Sequence, residues 1–244
     1  MRTYKNLKKI KSEKEIIVMH HLGLGDAIVC NGMINFLSKQ FDKIHLVVHK
    51  RYIEQISFLY KNNNKVKLFE IDTLPHANEI DSNLHEYSKI NNLKVLKIGY
   101  EYRLNGPFNI MVYKQLKLDH NISFTDFYSP LDNLRSKKLL EHLKKYYLVE
   151  KEFILVHDQS DEIKYNINFN SKLKPIKIEK ESDLFKNIFL YIPLIKEAKE
   201  IHCVDSSFIH LVERVDTDAK LYYHTNRGSN INLIKDWSRI DYES

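Results

Sequence analysis

Glycine and proline are scarce in this 244-residue chain, with 6 and 5 copies, and that scarcity excludes collagen-like, linker-rich and low-complexity architectures. Most of the chain must therefore lie in regular elements joined by short connections. Cysteine is scarcer still. Cys30 and Cys203 stand far apart in apolar runs, which excludes a disulfide framework and predicts two buried, reduced thiols in a cytoplasmic protein. No stretch is apolar for long enough to span a bilayer, and the N-terminal run MRTYKNLKKIKSEK has no apolar core of the kind a signal peptide carries. The histidines show no Cys/His spacing of a structural zinc site, so no metal ligand is assigned.

What is present is ordinary for a folded domain. Hydrophobic residues make up 43% and charged residues 29%, too apolar a balance for a disordered chain. The net charge of +6 admits three kinds of partner: nucleic acid, an anionic membrane surface, or phosphate-bearing small molecules. No nucleic-acid motif accompanies the charge, so nucleic acid is set aside. The basic N-terminal run reads as a solvated tail, with peripheral contact to the inner face of a membrane as the alternative.

Strand and helix signals alternate along the chain. EIIVMHH (15–21), KIHLVVHK (43–50), KVKLFEID (65–72) and LKVLKIGY (93–100) read as strands. Helices are expected at 26–40, 51–62 and about 77–90. After Gly106-Pro107 come two helical stretches, 108–118 and 131–147. A second alternation follows, with strands at 152–158, 174–179, 201–205 and 220–225 and helices at 184–198, 206–215 and 231–237. Such alternation predicts parallel strands joined by right-handed crossovers. Two α/β blocks are expected, residues 1–130 and 131–244, with the last helix packing back on the first block.

The stretch HHLGLGDAIVCNG (20–32) sits at the first strand-to-helix turn. A dinucleotide site needs Gly-x-Gly-x-x-Gly and an acid closing the second strand. Here the sixth position is Ile28 and the second strand ends in His49-Lys50. Asp26 would also occupy the helix N-terminus where a pyrophosphate should lie. The dinucleotide reading fails on all three points. Two readings remain: Asp26 caps the helix while Gly23 and Gly25 make a tight turn, or the turn presents Asp26 to a ligand as a general base.

The stretch IHCVDSSFIHL (201–211) is the counterpart in the second block. Asp205 ends a strand, Ser206 and Ser207 open a helix, and His210 follows one turn later. Serine caps with free N–H groups form an anion site suited to a diphosphate. An ordinary capped helix with a half-buried histidine is the alternative.

Together the two segments resemble a known family. GLGDAIVCNGMINFL is similar to the opening of the ADP-heptose–lipopolysaccharide heptosyltransferases and related GT-B glycosyltransferases, and AKEIHCVDSSFIHLVE is similar to their later donor segment. The resemblance implies an α/β fold of two Rossmann-like domains facing a cleft, acceptor on the N-terminal side and nucleotide-sugar on the C-terminal side. It implies Asp26 as catalytic base, with Asp205, Ser206, Ser207 and His210 meeting the donor's nucleotide and phosphates. Where family members have Gly-Pro after the donor-side acid, this chain has Ser206-Ser207-Phe208, which leaves the donor's base and sugar open.

The reaction so implied moves a sugar from a nucleotide-diphosphate donor to a glycan or glycolipid acceptor, with inversion and without a metal or other cofactor. Further donor-side candidates are His157, Gln159 and Lys164 in VHDQSDEIKYN, with Lys164 as phosphate cation, and Arg227 after the last strand. The aromatic turn GYEYRLNGPF (99–108), with Arg103, is an acceptor-side candidate or a plain surface loop. His20 and His21 either line the site or simply end a strand. A nucleotide-sugar epimerase on the same fold and a non-catalytic nucleotide- or glycan-binding protein are the competing functions.

Overall fold

The computed structural model describes residues 3–72, 81–100, 106–160, 163–225 and 231–242, and the chain divides into two compact units, Met1–Pro130 and Leu131–Ser244. In the first unit the near-continuous apolar runs form buried parallel strands, as runs without alternation should. They are β2 (Glu15–Met19), β3 (Lys43–His49) and β5 (Lys94–Lys97), with the short β1 (Thr3–Tyr4) and the mostly half-buried or exposed β4 (Val66–Ile71) as the two edge strands. All pair in parallel in the order β1-β5-β2-β3-β4.

Helix α1 (Leu24–Ser38) follows β2 and is buried around nearly its whole circumference. It lies between the sheet and two further helices, α4 (Phe108–Leu116) and α5 (Ile122–Thr125). Gly32 permits the closest approach: a Cβ there would stand 2.2 Å from the Ile122 carbonyl oxygen. Two hydrogen bonds tie the enclosed polar groups of the helix to its neighbours. The Tyr113 hydroxyl donates to the Val29 carbonyl at 2.8 Å, and Asn31 Oδ1 accepts from the Tyr128 N–H at 2.9 Å. The Asn31-Gly32 pair, a turn signal out of context, therefore serves inside a helix as a docking point. Two more helices, α2 (Ile53–Tyr60) and α3 (Ser82–Ile90), connect the remaining strands.

The basic N-terminal segment is not a solvated tail. Thr3 and Tyr4 pair with Val95 and Leu96 as the edge strand, Leu7–Lys9 form a 3₁₀ turn, and Ile10 is fully buried. Glu13 anchors the segment through Lys94 at 2.6 Å. The lysines mask a sparse apolar series, Tyr4, Leu7 and Ile10, that faces inward at a spacing of three.

The second unit opens with α6 (Asn133–Tyr146) and holds β6 (Phe153–His157), β9 (Lys174–Lys177), β10 (Glu200–Val204), β11 (Lys220–His224) and β12 (Trp237–Ile240). These strands are parallel in the order β12-β11-β10-β6-β9. A separate antiparallel pair, β7 (Gln159–Ser160) and β8 (Ile163–Lys164), follows β6. Helices α7 (Ile192–Glu197) and α8 (Ser207–Val212) flank the sheet.

Two expectations in this unit need correction. The helix predicted over 184–198 starts only at a 3₁₀ turn, Ile188–Tyr191. Asp183 Oδ1 takes the N–H groups of Phe185 and Lys186 at 2.9 and 3.0 Å, and Asn187 caps the turn, so the chain enters late. Pro193 falls in the first turn of α7, where its missing N–H is harmless.

The segment 231–237 is not a helix either. Glu213, only 3% exposed, accepts from the N–H groups of Ile234 and Lys235 at 2.8 and 3.2 Å and from Trp237 Nε1 at 2.6 Å. A carboxylate thus takes the donors a helix would have used, and the chain leaves it as strand β12.

Removing that carboxylate exposes three donors without partners. Glu213→Ala should lower urea-unfolding stability by about 3 kcal/mol, and Glu213→Gln, which keeps one acceptor oxygen, by less. Wild-type stability in the alanine variant would show that β12 is held by pairing with β11 alone.

Candidate active site

Both parallel sheets reverse strand order at one place. In the first unit β2, β3 and β4 run outward in one direction while β5 returns to the other flank of β2. In the second, β6 and β9 run one way while β10, β11 and β12 build on the other flank of β6. At such a reversal the connections leaving the two neighbouring strands diverge, and a crevice opens at their carboxyl ends. The two motifs singled out in the sequence fall at these two places.

In the first unit, β2 passes through His20, His21 and Leu22 into Gly23, the N-cap residue of α1. The helix begins at Leu24, two residues ahead of its predicted start. Asp26 is therefore the third helical residue and not the cap. Its half-buried carboxylate folds back over the turn: a Cβ on Gly23 would lie 2.7 Å from Asp26 Oδ2. The glycine at 23 makes room for a carboxylate, which is the opposite of a phosphate cradle.

Across from this turn, Tyr100 follows β5 and Phe108 opens α4. His21 stacks on Phe108 at 4.6 Å and meets Tyr100 edge-on at 4.9 Å. The Tyr100 hydroxyl donates to the His20 carbonyl at 3.0 Å, tying the two strand ends together. Lys97 Nζ lies over the Tyr100 ring at 4.3 Å, and burial lowers its pKa. His20 is buried, its Nε2 has no hydrogen-bond partner among the described residues, and desolvation holds its pKa at about 4. The stretch 99–108 is thus more than a plain surface loop at Tyr100 and Phe108, while Arg103 lies outside the described residues.

In the second unit, register pairs Cys203 with His157, so the ends of β10 and β6 are neighbours. Ser206 Oγ lies 3.1 Å from His157 Nδ1 and 3.3 Å from the Val204 carbonyl. A hydroxyl has one proton and the carbonyl only accepts. Ser206 therefore donates to Val204, His157 Nδ1–H donates to Ser206, and Nε2 carries the lone pair of a neutral ring. Burial keeps it neutral, with a pKa of about 4, and the ring stacks on Phe208 at 5.2 Å. Ser206 is the N-cap of α8 by backbone geometry, yet its side chain does not cap, and α8 is six residues long. The expected pair of serine caps is thus a serine–histidine pair beside Ser207. The Asp205 carboxylate, half-buried in the same turn, has no hydrogen-bond or ion-pair partner among the described residues.

The other donor-side candidates are dispersed. His210 lies on α8 within reach of Arg214, whose Nη1 donates to the His210 carbonyl at 2.8 Å, and burial with that cation lowers the ring's pKa to about 3. Gln159 and Lys164 face each other in the β7–β8 pair. Lys164 is not a free phosphate cation: its Nζ is 3.0 Å from Glu179 Oε2, which raises the lysine's pKa. Arg227 lies outside the described residues.

Sequence reasoning passed over Asp158 and Glu179. Asp158 follows His157 at the strand end and is 4% exposed; its Oδ2 is 3.8 Å from Lys177 Nζ and its Oδ1 has no partner among the described residues. The signal was its place one residue past a buried strand, the same signal that drew attention to Asp205.

Sequence reasoning also passed over a His-x-x-x-His pair and an Asp-x-Asp triplet, which resemble metal motifs only out of context. His45 and His49 are four apart, but on strand β3, where that spacing is about 13 Å. His45 instead meets Glu15 at 3.0 Å and Tyr87 at 2.9 Å. Asp216-Thr217-Asp218 forms an Asp-x-Asp triplet, but it precedes β11 and so lies at the amino edge of the sheet, away from the reversal point. Among the described residues no His, Cys, Asp and Glu side chains cluster as a metal site.

His224 joins His20 and His157 as a third buried ring held at about 4 by desolvation. It bridges His202 Nδ1 at 3.0 Å and the Tyr242 hydroxyl at 2.8 Å. Unfolded histidines titrate near 6.5, so between about pH 6.5 and 4 the unfolded chain binds more protons than the folded one. Stability should be full above that window and fall as pH drops through it. Urea midpoints measured from pH 7.5 to 4.5 test this, and His157→Gln should make the decline shallower. A midpoint independent of pH across the window would contradict the buried neutral rings.

No protein-family model and no curated protein matches this sequence. Solved structures do share its fold. The glycosyl transferase family 9 protein from Veillonella parvula DSM 2008 superposes with a TM-score of 0.58 at 11% identity, over 95% of this chain and 88% of that one. E. coli ADP-heptose lps heptosyltransferase II superposes with a TM-score of 0.50 at 10% identity, over 93% of this chain and 90% of that one. At such identities the likeness is one of fold: the chain has the two-unit, parallel-sheet α/β architecture of these GT-B-like proteins, as its two motifs implied.

Proposed function

We propose that this protein is a glycosyltransferase that moves a sugar from a nucleotide-diphosphate donor to a glycan or glycolipid acceptor. The observation that carries the reading is the position of both motifs, one at the strand-order reversal of each parallel sheet, in a fold shared with glycosyltransferases. Residues 1–130 would hold the acceptor and residues 131–244 the donor.

In this reading Asp26 is the general base. It takes the acceptor hydroxyl's proton as the acceptor oxygen attacks the anomeric carbon, and the bond to the nucleoside diphosphate breaks with inversion. The His21, Tyr100 and Phe108 rings offer apolar faces to a sugar, and the His20 imidazole, neutral at physiological pH, adds no charge to repel the proton being moved. On the donor side Asp205, Ser206 and Ser207 meet the nucleotide at one turn, with the His157 Nε2 lone pair as acceptor, and Gln159 and His210 contribute from neighbouring elements. Lys164 reaches the phosphates by leaving Glu179. Its side chain is 55% exposed, and an exposed pair of this kind is weak enough for a diphosphate to displace. The proposed reaction uses no metal or other cofactor, and Lys164 supplies positive charge to the leaving diphosphate.

Thermal shift with UDP, GDP, ADP, CMP and NAD is the first test, because a ligand of the folded state raises apparent stability by mass action. One nucleoside diphosphate should stabilise the protein and so name the donor's base. Asp26→Asn should keep that shift and lose sugar transfer by about a hundred- to ten-thousandfold. A shift with NAD alone, or transfer unaffected in Asp26→Asn, would overturn the proposal.

A further inference from the structure

The two faces of the second sheet are covered differently. On one face His157 stacks on Phe208 of α8. The other carries Ile154 and Val156 of β6, His202 and Val204 of β10, and Tyr222 and His224 of β11, which share it by register and alternation. Residues 165–173, which contain neither helix nor strand, lie over this second face. Tyr165, Ile167 and Phe169 pack against Ile154, Val156 and Val204, and Tyr242 joins them from the segment after β12. A strap of this kind has no hydrogen-bond ladder of its own, so it depends on its anchors. One is the Tyr165 N–H, which donates to the Asp158 carbonyl at 2.8 Å. The other is the Asn168 N–H, which donates to the Tyr242 hydroxyl at 2.7 Å.

That hydroxyl also begins a polar chain across the sheet. It lies 2.8 Å from His224 Nδ1, His224 Nε2 is 3.0 Å from His202 Nδ1, and His202 Nε2 is 3.5 Å from Glu200 Oε2. Two neutral rings and one hydroxyl have three protons to place on these three links. The Glu200 carboxylate only accepts, so His202 carries its proton on Nε2. Its Nδ1 then accepts from the His224 Nε2–H, and His224 Nδ1 accepts from the Tyr242 O–H. This arrangement fills every link with one proton, and it requires both rings to be neutral.

An added proton has no place in it. On His224 Nδ1 it opposes the Tyr242 hydroxyl proton, and on His202 Nδ1 it opposes the His224 N–H. A link is lost either way, and a cation is left in largely apolar surroundings. Desolvation accordingly lowers the pKa of both rings, that of His224 to about 4. His202 stacks on Tyr222 at 4.5 Å and meets Phe169 of the strap at 5.2 Å. Glu200 faces His202 and favours its charged form. Asp241, next to Tyr242, is engaged with Thr225 Oγ1 at 2.8 Å and Arg239 Nε at 2.7 Å. At the ends of β6 and β9, Asp158 and Lys177 pair with each other.

We propose that the chain from Glu200 through His202 and His224 to Tyr242 is a proton-operated clasp: it fastens residues 165–169 to the sheet while both rings are neutral, and protonation of the rings releases them. Released rings titrate near 6.5, so below that pH the open form binds more protons than the closed one and gains population as pH falls. The strap continues directly from Lys164, so its release also frees the end of the β7–β8 pair. The clasp stands whether or not the catalytic reading does, and its test needs no sugar transfer.

Amide hydrogen exchange of the full chain, with intrinsic rates divided out, gives the measurement. The Tyr165 and Asn168 amides should be less protected than those of β6 and β10 at every pH, as local opening requires. Between pH 7.5 and 5.5 each ring that takes up a proton on opening raises the opening constant by up to about tenfold. The wild type should exceed tenfold, and His224→Phe, which keeps a ring that cannot titrate, should fall to tenfold or less. Tyr242→Phe keeps the packing but removes the acceptor of the Asn168 N–H, so protection there should drop about fivefold at pH 7.5. Nitrogen-15 spectra of the wild type at pH 7.5 should show His202 and His224 as Nε2–H tautomers, a readout that survives if a variant does not fold. A ring with its proton on Nδ1 would overturn the proposal. So would strap protection equal to that of β6 and β10, which would mean that the strap leaves only with global unfolding. A pH response unchanged in His224→Phe would place the titrating group elsewhere and overturn it too.

Discussion

Every principal strand in this protein runs parallel to its neighbours, and a parallel pair can be closed only by a crossover that returns the chain to the same edge of the sheet. That constraint carries all the connections leaving strand carboxyl ends to one edge of each sheet. Among the described strands, two such connections part at the reversal of strand order, between β2 and β5 in one unit and β6 and β10 in the other. The acidic, hydroxyl and aromatic side chains argued to carry function stand at these ends. Their placement follows from topology before any of their chemistry is considered.

The same edges collect buried imidazoles. His20 and His157 lie one residue past β2 and at the last residue of β6, and His224 closes β11. Desolvation keeps each of them neutral at physiological pH. A neutral ring can donate from one nitrogen and accept at the other without introducing a charge. It orders polar groups such as Ser206 and Tyr242 at modest electrostatic cost. The carboxylates Asp26 and Asp205 are half-buried in the turns that follow β2 and β10.

Much of this was legible in the chain itself. The strands β2, β3, β5, β6 and β10 are short apolar runs bounded by polar turns, and Gly23, Asp26, Asp205 and Ser206 sit at the turns that follow β2 and β10. Other features were hidden for identifiable reasons. Lysines obscured the inward series Tyr4, Leu7 and Ile10. Lys164 looked like a free cation because Glu179 is fifteen residues away in sequence and joins it only through the fold. Ser206 looked like a helix cap because nothing nearby in sequence shows that His157 competes for its hydroxyl, across 49 residues.

The sequence by itself determined the alternation of strand and helix and the residue types at each strand-to-helix turn, because periodicity and turn chemistry act between near neighbours along the chain. Which turns become neighbours was decided only by the tertiary structure, through strand order and register. The fate of residues 231–240 shows the difference most clearly. Their local pattern suits a helix, but a buried carboxylate at Glu213 captures the N–H groups of Ile234 and Lys235, and the edge of β11 offers Trp237–Ile240 a full row of parallel pairing. Hydrogen-bond partners brought from elsewhere in the chain outweigh a propensity worth only a few tenths of a kcal/mol per residue.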